Sequence, residues 1–404
     1  MESGSLFQPV TRVSSAVRIV LLIPTLDRSG AEKQLTILAR GLPRPEFEPH
    51  VVCLTRGGPY EADLRAAGVP VTILHKRGRF DPRTFLKLRS ELNHLQPDLL
   101  HTWLFAANSY GRLTHWFHKP CPIIVSERCV DSWKARWQLW LDRRLISRTD
   151  RLVGNSQSVV DFYSRLGVPR DKLQCIPNGI EPPAFCHQPP EQVAALRTRL
   201  REEIGLGAEH HVILVTGRLA PQKKVDDLIW AFELLRNSLE NCRLVVLGDG
   251  PERERLERFT LEIRNQRAVY FLGHRADATD WLAAADQFWL GSSFEGQSNS
   301  LLEAMAAGVP VIVSDIPANR EVVEHDHTGL VCPLGDRVSR AQWSRQLLLD
   351  PPRAQQLGQA ARQKMIEQHS VPRMIARYEE LYRQLATPPQ SGADLSSATP
   401  TSPR

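Results

Sequence analysis

Two glutamates, Glu295 and Glu303, stand seven residues apart in SSFEGQSNSLLEAMAAGVPVIVSD (292–315). Glu295 falls on the loop after an apolar strand and Glu303 in the first turn of the helix that follows. One carboxylate can then face a reacting sugar while the other accepts hydrogen bonds from a ribose diol. Free amides at Asn299, Ser300 and Leu301, where that helix begins, suit a phosphate. Ser300 and Glu303 also spell S-x-x-E, so Glu303 has a second use as half of a capping box. In GRLAPQKK (217–224), Arg218 offers a bidentate fork and Lys223 a mobile point charge on a loop entering a helix. Together they suit a diphosphate whose charge grows as it departs; a solvated basic loop is the plainer alternative. Spacing does not decide between Lys223 and its neighbour Lys224. In LDRSGAEKQL, Ser29 and Gly30 form a small-residue turn before a helix, which either lets backbone amides approach an anion or merely starts the helix.

Other residues exclude chemistries. In LGDGPERERL, Gly248 and Gly250 follow a strand, but Arg253 stands where a dinucleotide fingerprint needs its third glycine, so a nicotinamide cofactor is not expected. No two aspartates are separated by a single residue, so no DxD element is present to hold a metal. The His325-Asp326-His327 cluster lies in a polar loop without supporting ligands. No metal and no cofactor are therefore expected.

These loops need a frame that brings them together. Short apolar, β-branched runs alternate with helical patterns from end to end, the signature of a parallel sheet wrapped by helices. Strands are expected at 18–25, 50–55, 71–74, 98–102, 122–126, 151–155 and 173–177, then at 211–217, 243–249, 268–273, 286–292 and 309–315. They imply an α/β fold of two Rossmann-like domains facing across a cleft, with the strands' carboxyl ends and following loops on the cleft walls. Four prolines in EPPAFCHQPPEQ mark 181–192 as a linker between a first domain, 1–180, and a second, 193–386. The Pro-, Ser- and Ala-rich stretch 387–404 lacks apolar periodicity and is expected to be disordered.

A chain of 404 residues can hold two full cores. None of its apolar runs approaches the roughly 20 residues that span a bilayer. The amino terminus has no basic segment ahead of an apolar run, so a cytoplasmic location is expected. Seven cysteines without a CxxC pair read as reduced structural thiols. The first 180 residues carry 26 Lys and Arg against 16 Asp and Glu, and the remainder 25 against 29. The basic first half is expected to face phosphates or an anionic membrane surface. Nucleic acid is not expected as a partner, since zinc fingers, RNP aromatics and a basic tail are all lacking.

The segment FEGQSNSLLEAMAAGVPVI resembles the Glu-x7-Glu segment of the retaining family-4 glycosyltransferases, whose two Rossmann-like domains form the GT-B architecture. The similarity extends, in the family's order, to the Ser-Gly-Ala-Glu turn, to VGNSQSVVDFYSRLGVPRDKLQCIPNGI, to GRLAPQKK, to VLGDGPE and to FLGHRADATDWLAAAD. The resemblance implies that Arg218 and Lys223 bind the donor diphosphate, Glu303 the ribose hydroxyls and Glu295 the transferred sugar near its reacting centre. It implies further that Gly30 brings a backbone amide to the phosphate, and that Val225 and the backbone around Arg275 lie near the nucleotide. Two departures stand out. Lys224 occupies a position where the family usually has glycine, and Ser126-Glu127-Arg128 follow the strand after which the family often carries a histidine. His101, after the preceding strand, is the nearest substitute; it reads equally as a packed strand-end histidine.

The implied function is metal-independent, retaining transfer of a sugar from a UDP- or GDP-sugar to a glycan or polyprenyl- or other lipid-linked acceptor, in cell-surface polysaccharide or glycolipid synthesis. The nucleotide sugar is a co-substrate. A sugar-nucleotide epimerase or hydrolase of the same architecture would share the donor cleft but need carboxylates placed for proton abstraction or water activation. A non-catalytic nucleotide-binding module would fit a chain that had lost Glu295 or Lys223. Residues 130–148 have helical character and place Trp133, Trp137 and Trp140 on one stripe beside Arg136 and Arg143. That stripe either docks on the inner membrane face, making the enzyme peripheral, or packs on the sheet.

Overall fold

The computed structural model describes residues 16–78, 80–114, 121–130 and 134–386. Seven parallel strands form the first sheet: β1 (Val17–Ile23), β2 (Phe47–Cys53), β3 (Val71–Ile73), β4 (Leu99–Trp103), β5 (Ile123–Glu127), β6 (Arg151–Gly154) and β7 (Leu173–Cys175), in the order 3-2-1-4-5-6-7. Six parallel strands form the second: β8 (His211–Thr216), β9 (Cys242–Leu247), β10 (Val269–Gly273), β11 (Gln287–Leu290), β12 (Val311–Ser314) and β13 (Leu330–Cys332), in the order 10-9-8-11-12-13. Each sheet reverses its winding between its first and fourth strands, and the loops beyond those strand ends flank the crevice where such sheets bind ligands.

Helices cover both faces of both sheets. The first domain carries α1 (Gly30–Gly41), α2 (Pro59–Ala66), α3 (Pro82–Leu95), α4 (Leu104–Thr114), α5 (Arg136–Arg144) and α6 (Gln157–Arg165). Then come α7 (Pro190–Glu202), α8 (Val225–Arg236), α9 (Arg253–Glu262), α10 (Trp281–Ala284), α11 (Asn299–Ala306), α12 (Pro317–Arg320), α13 (Arg337–Leu349), α14 (Pro351–Gln368) and α15 (Val371–Ala386). Burial on both faces explains why strands such as VRIVLLI and HVILVT are continuous apolar runs instead of alternating ones.

The domain boundaries differ from the expected ones in two places. Helix α15 does not stay with the second domain: Met374, Ile375, Tyr378, Leu381 and Tyr382 are buried with Ile19, Leu21, Phe47 and Trp103 in the first domain's core. The chain thus crosses between domains twice, and the crossings run side by side, with Ile180 N–H donating to the His369 carbonyl at 2.7 Å. The proline-rich segment 181–192 is not all linker either. Its Phe185 enters the second core, and Pro190, which needs no N–H donor at a helix start, opens α7. Strand β13, three residues long, was not expected. All seven cysteines are free.

Helix α5 is shorter than the expected 130–148: it ends at Arg144 and tightens into a 3-10 turn at Ile146–Arg148. The turn brings the chain back to β6, where Asp150 accepts from the Ile123 N–H at 2.7 Å. Trp133 lies outside the described residues. Trp137 and Trp140 are 50% and 59% exposed, so these two tryptophans do not pack on the sheet. Beneath them Lys134, buried, donates to Asp142 at 3.0 Å and to Tyr163 at 2.8 Å, and Asp142 also accepts from Arg112 at 2.5 Å. No helix among the described residues is long and apolar enough to cross a membrane.

Candidate active site between the two sheets

The loop after β8 and the loop after β11 are laced together at the second domain's switch point. Lys223 Nζ donates to Glu295 Oε1 at 2.5 Å, and Ser292 Oγ donates to the same oxygen at 2.7 Å. Gln222 bonds the Phe294 carbonyl through its side chain at 2.6 Å and accepts the Ser293 N–H on its own carbonyl at 2.9 Å. Glu295 is 8% exposed, so its charge is matched inside the cleft wall. Arg218, on the same loop, is exposed and has no partner among the described residues. The loop's shape depends on Lys224, whose φ of 49° and ψ of 42° lie in the left-handed region glycine favours. Lys224 therefore holds, at a steric cost, a conformation that glycine would adopt freely.

Gly248 explains the GDG turn. Its φ is +135°, and a side chain there would overlap the Gly217 carbonyl, so the turn packs on the 217–219 backbone. Val225 is buried at the start of α8, which leaves only its backbone available to a ligand. The Arg275 guanidinium is held by Asp277 at 2.8 Å and by Glu203, and lies over the Trp281 ring. It too can offer only backbone.

Helix α11 begins at Asn299, with Ser298 in the N-cap position, two residues earlier than a Ser300 cap would have it. Ser300 and Glu303 therefore form no capping box, and Glu303 sits in the second turn. The amides of Asn299, Ser300 and Leu301 are the unpaired donors of a helix start. Glu303 Oε1 instead accepts from Lys33 Nζ, across the cleft on α1, at 2.5 Å. Burial works against the Lys33 charge, but Glu303 outweighs it and the lysine's pKa is raised.

The start of α1 meets the start of α11. Asn299 Nδ2 donates to the Gly30 carbonyl at 3.1 Å, and a Cβ on Gly30 would lie 3.3 Å from that nitrogen. Asn178 bonds Gln297 through its N–H at 2.7 Å and Asn299 through its side chain at 2.7 Å. Gln34 exchanges two bonds with Gly179 at 2.9 and 3.0 Å. Val130 N–H reaches the Glu295 carbonyl at 3.4 Å, and Gly296 lies so close to Arg128 that any side chain would overlap its carbonyl. The structure thus brings Gly30, Lys223, Glu295, Asn299 and Glu303 to one cleft. Lys33, Asn178, Gln297 and Arg128 were not anticipated there; Asn178 and Gln297 lie inside resembling motifs, which was the available signal.

His101 is corrected. It lies within β4, fully buried, with Nδ1 bonded to Tyr382 Oη at 2.7 Å and Nε2 to Ser126 Oγ at 2.8 Å. Burial, and then the nearby Arg128 charge, hold its pKa well below the usual value. It is a neutral packing histidine with both nitrogens occupied, away from the loops. In the 325–327 cluster, His325 accepts the Val331 N–H at 3.0 Å and Asp326 pairs with Arg353. Among the described residues no three His, Cys, Asp or Glu side chains gather as a metal site.

Two doubly wound sheets whose switch points share one cleft, with a Lys–Glu pair on one wall and two helix starts meeting across it, make up the GT-B architecture. The descriptions "Glycosyltransferase Family 4" and "Glycosyl transferases group 1" match residues 28–182 and 197–364. D-inositol 3-phosphate glycosyltransferase of Xylanimonas cellulosilytica is 30% identical over 387 residues, 90% of each chain. The chain belongs to glycosyltransferase family 4. It is 27% identical to the UDP-Gal:alpha-D-GlcNAc-diphosphoundecaprenol alpha-1,3-galactosyltransferase of Escherichia coli, over 78% of this chain and 84% of that one. Anabaena HepE, solved with UDP and glucose, superposes with a TM-score of 0.81 at 20% identity, covering 91% of this chain and 99% of that one. Other curated relatives match over about three-fifths of their length, 60% and 63%.

Proposed function

We propose that the chain transfers a sugar, with retention and without a metal ion, from a UDP- or GDP-sugar to a glycan or lipid-linked acceptor in envelope polysaccharide or glycolipid synthesis. The observation that carries this is the Lys223–Glu295 pair on the loop leading into α11, whose open N-terminus faces that of α1. Two helix starts and the Arg218 and Lys223 charges together make a site for a leaving diphosphate. Donor entry places the diphosphate on Arg218, Lys223, the Gly30 turn and the amides of Asn299, Ser300 and Leu301. The ribose exchanges Lys33 for its own hydroxyls at Glu303, backbone near Val225 and Arg275 borders the nucleotide, and Glu295 faces the transferred sugar. The E. coli relative's name, which specifies a UDP-sugar and a polyprenyl-diphosphate acceptor, supports the substrate class.

Donor turnover measured with and without a polyprenyl-diphosphate sugar separates transfer from the alternatives. Transfer requires acceptor-dependent nucleotide release that Glu295→Gln slows more than it weakens nucleotide binding. Equal release without acceptor would make the chain a hydrolase, and an epimerised donor an epimerase. No turnover at all would leave a nucleotide-binding module.

The reading includes a peripheral place on the inner membrane face. Trp137 and Trp140 are exposed beside Arg136, Arg143 and Arg144, and the Arg144 guanidinium lies 5.4 Å from the Trp140 ring. Indole favours the water–lipid boundary and arginine the lipid phosphates. Sedimentation with vesicles containing anionic lipid should fall when Arg136 and Arg143 become Glu; unchanged sedimentation would remove the docking role alone.

A further inference from the structure

Among the described residues Arg128 is a cation without a counter-charge. It follows β5 on the cleft side, and its neighbour Glu127 projects the other way, where it accepts from Asn108 at 2.9 Å and Lys134 at 3.4 Å. The half-buried Arg128 guanidinium stacks 4.6 Å from the Trp103 ring, donates to Tyr378 Oη at 3.4 Å and to Asn178 Oδ1, and has no carboxylate at ion-pair distance among the described residues. Burial lowers its pKa. A desolvated guanidinium held only by neutral oxygens and a ring face lacks the ionic partner that offsets the loss of water.

The position of this charge is informative. Its own carbonyl abuts Gly296 and takes the Asn155 side-chain amide at 3.3 Å, and its partner Asn178 bonds Gln297 and Asn299 at the start of α11. Arg128 therefore stands on the first-domain wall, beside the Gly296 turn and, through Asn178, next to the start of α11. Its planar fork, pre-set by Trp103, matches two oxygens of a phosphate.

We infer that Arg128 is the first domain's receptor for a phosphate that enters the cleft, either in the donor diphosphate or on the acceptor. The inference rests on the proposed nucleotide-sugar reading. On ligand entry the guanidinium gives up Asn178 and takes phosphate oxygens, so that both walls of the cleft hold anions.

Calorimetry on the full chain at low ionic strength, with UDP, GDP, farnesyl diphosphate and uncharged farnesol as probes, tests it. Arg128→Gln should weaken the nucleotide or farnesyl diphosphate about tenfold or more and leave farnesol unchanged. A loss in the nucleotide arm assigns the phosphate to the donor, and a loss in the farnesyl diphosphate arm to the acceptor. Arg128→Lys keeps charge without the fork and should fall between. Affinities within twofold of wild type in both arms overturn the inference, whether or not the melting temperature drops, and would leave Arg128 a strut between β5 and α15. If Arg128→Gln does not fold, the lysine variant decides by the same comparison. A wild-type chain that binds neither nucleotide overturns the proposed function and this inference with it; nucleotide binding untouched by Arg128→Gln, with farnesyl diphosphate equally untouched, overturns only the latter.

Discussion

Glu303 shows why a residue's type and spacing can be right while its local partner is misjudged. The S-x-x-E pattern pointed to a helix cap, but the helix starts at Asn299, so Glu303 turns toward the cleft and meets Lys33, 270 residues away in sequence. Both side chains are partly exposed, at 17% and 29%, so solvent screening keeps the pair's worth below about 1 kcal/mol. Glu303→Gln should therefore change the unfolding free energy by less than that while lowering nucleotide affinity. A large stability loss with unchanged affinity would make the pair a clamp and not a ribose site. Buried histidines set a separate expectation. His101 and His369 both have lowered pKa values, His369 to about 4, each chiefly through burial. The unfolded chain takes up protons near pH 6.5 that the native state refuses. Stability should be full above that pH and fall as it drops toward 4, by up to about 1.4 kcal/mol per unit for each histidine. Denaturant titrations at pH 7, 6 and 5 check this, and a flat profile would refute it.

At the scale of elements, most strands were legible because both faces of each sheet are covered, which forces continuous apolar runs that stand out from helical patterns. The loops after β8 and β11 were legible for the same reason: once the strands were placed, Lys223 and Glu295 had to follow their carboxyl ends. Strand β13 was missed although β3 and β7, equally short, were found, and α5 stopped early because the chain must turn back to β6. His101 already fell inside the expected strand 98–102; what the sequence did not show is that Tyr382, 281 residues away, and Ser126 occupy both its ring nitrogens. The Lys224 departure from glycine becomes a prediction here. Its left-handed backbone costs a lysine about 1 kcal/mol or more, partly offset by the greater freedom glycine gains when unfolded. Lys224→Gly should raise the melting temperature by about 1–3 °C and leave nucleotide affinity unchanged. A lower affinity would assign the diphosphate contact to Lys224 instead of Lys223.

For the whole molecule, two Rossmann-like units were readable, but their interlocking was not. Nothing in a helical pattern at 371–386 says that it returns to the first sheet; that follows from Tyr378 and Tyr382 filling space beside His101 and Trp103. The domains are joined further by Glu321, which accepts the N–H groups of Gln157 and Ser158 at the start of α6, both at 2.7 Å. With Lys33–Glu303 and Asn299–Gly30 this makes a cleft whose two walls touch at polar, exchangeable contacts, as a ligand-gated closure requires. On the proposed function this cleft holds a nucleoside diphosphate by protein charges and helix ends alone. Calorimetric titration of UDP and GDP into the chain in EDTA tests it most directly, with Lys223→Ala beside the wild type. One nucleotide should bind without any divalent ion, and the variant should lose about 1.5–3 kcal/mol of binding free energy, the worth of a charge-assisted bond. Binding that appears only when a divalent ion is restored, or an alanine variant with wild-type affinity, would contradict it.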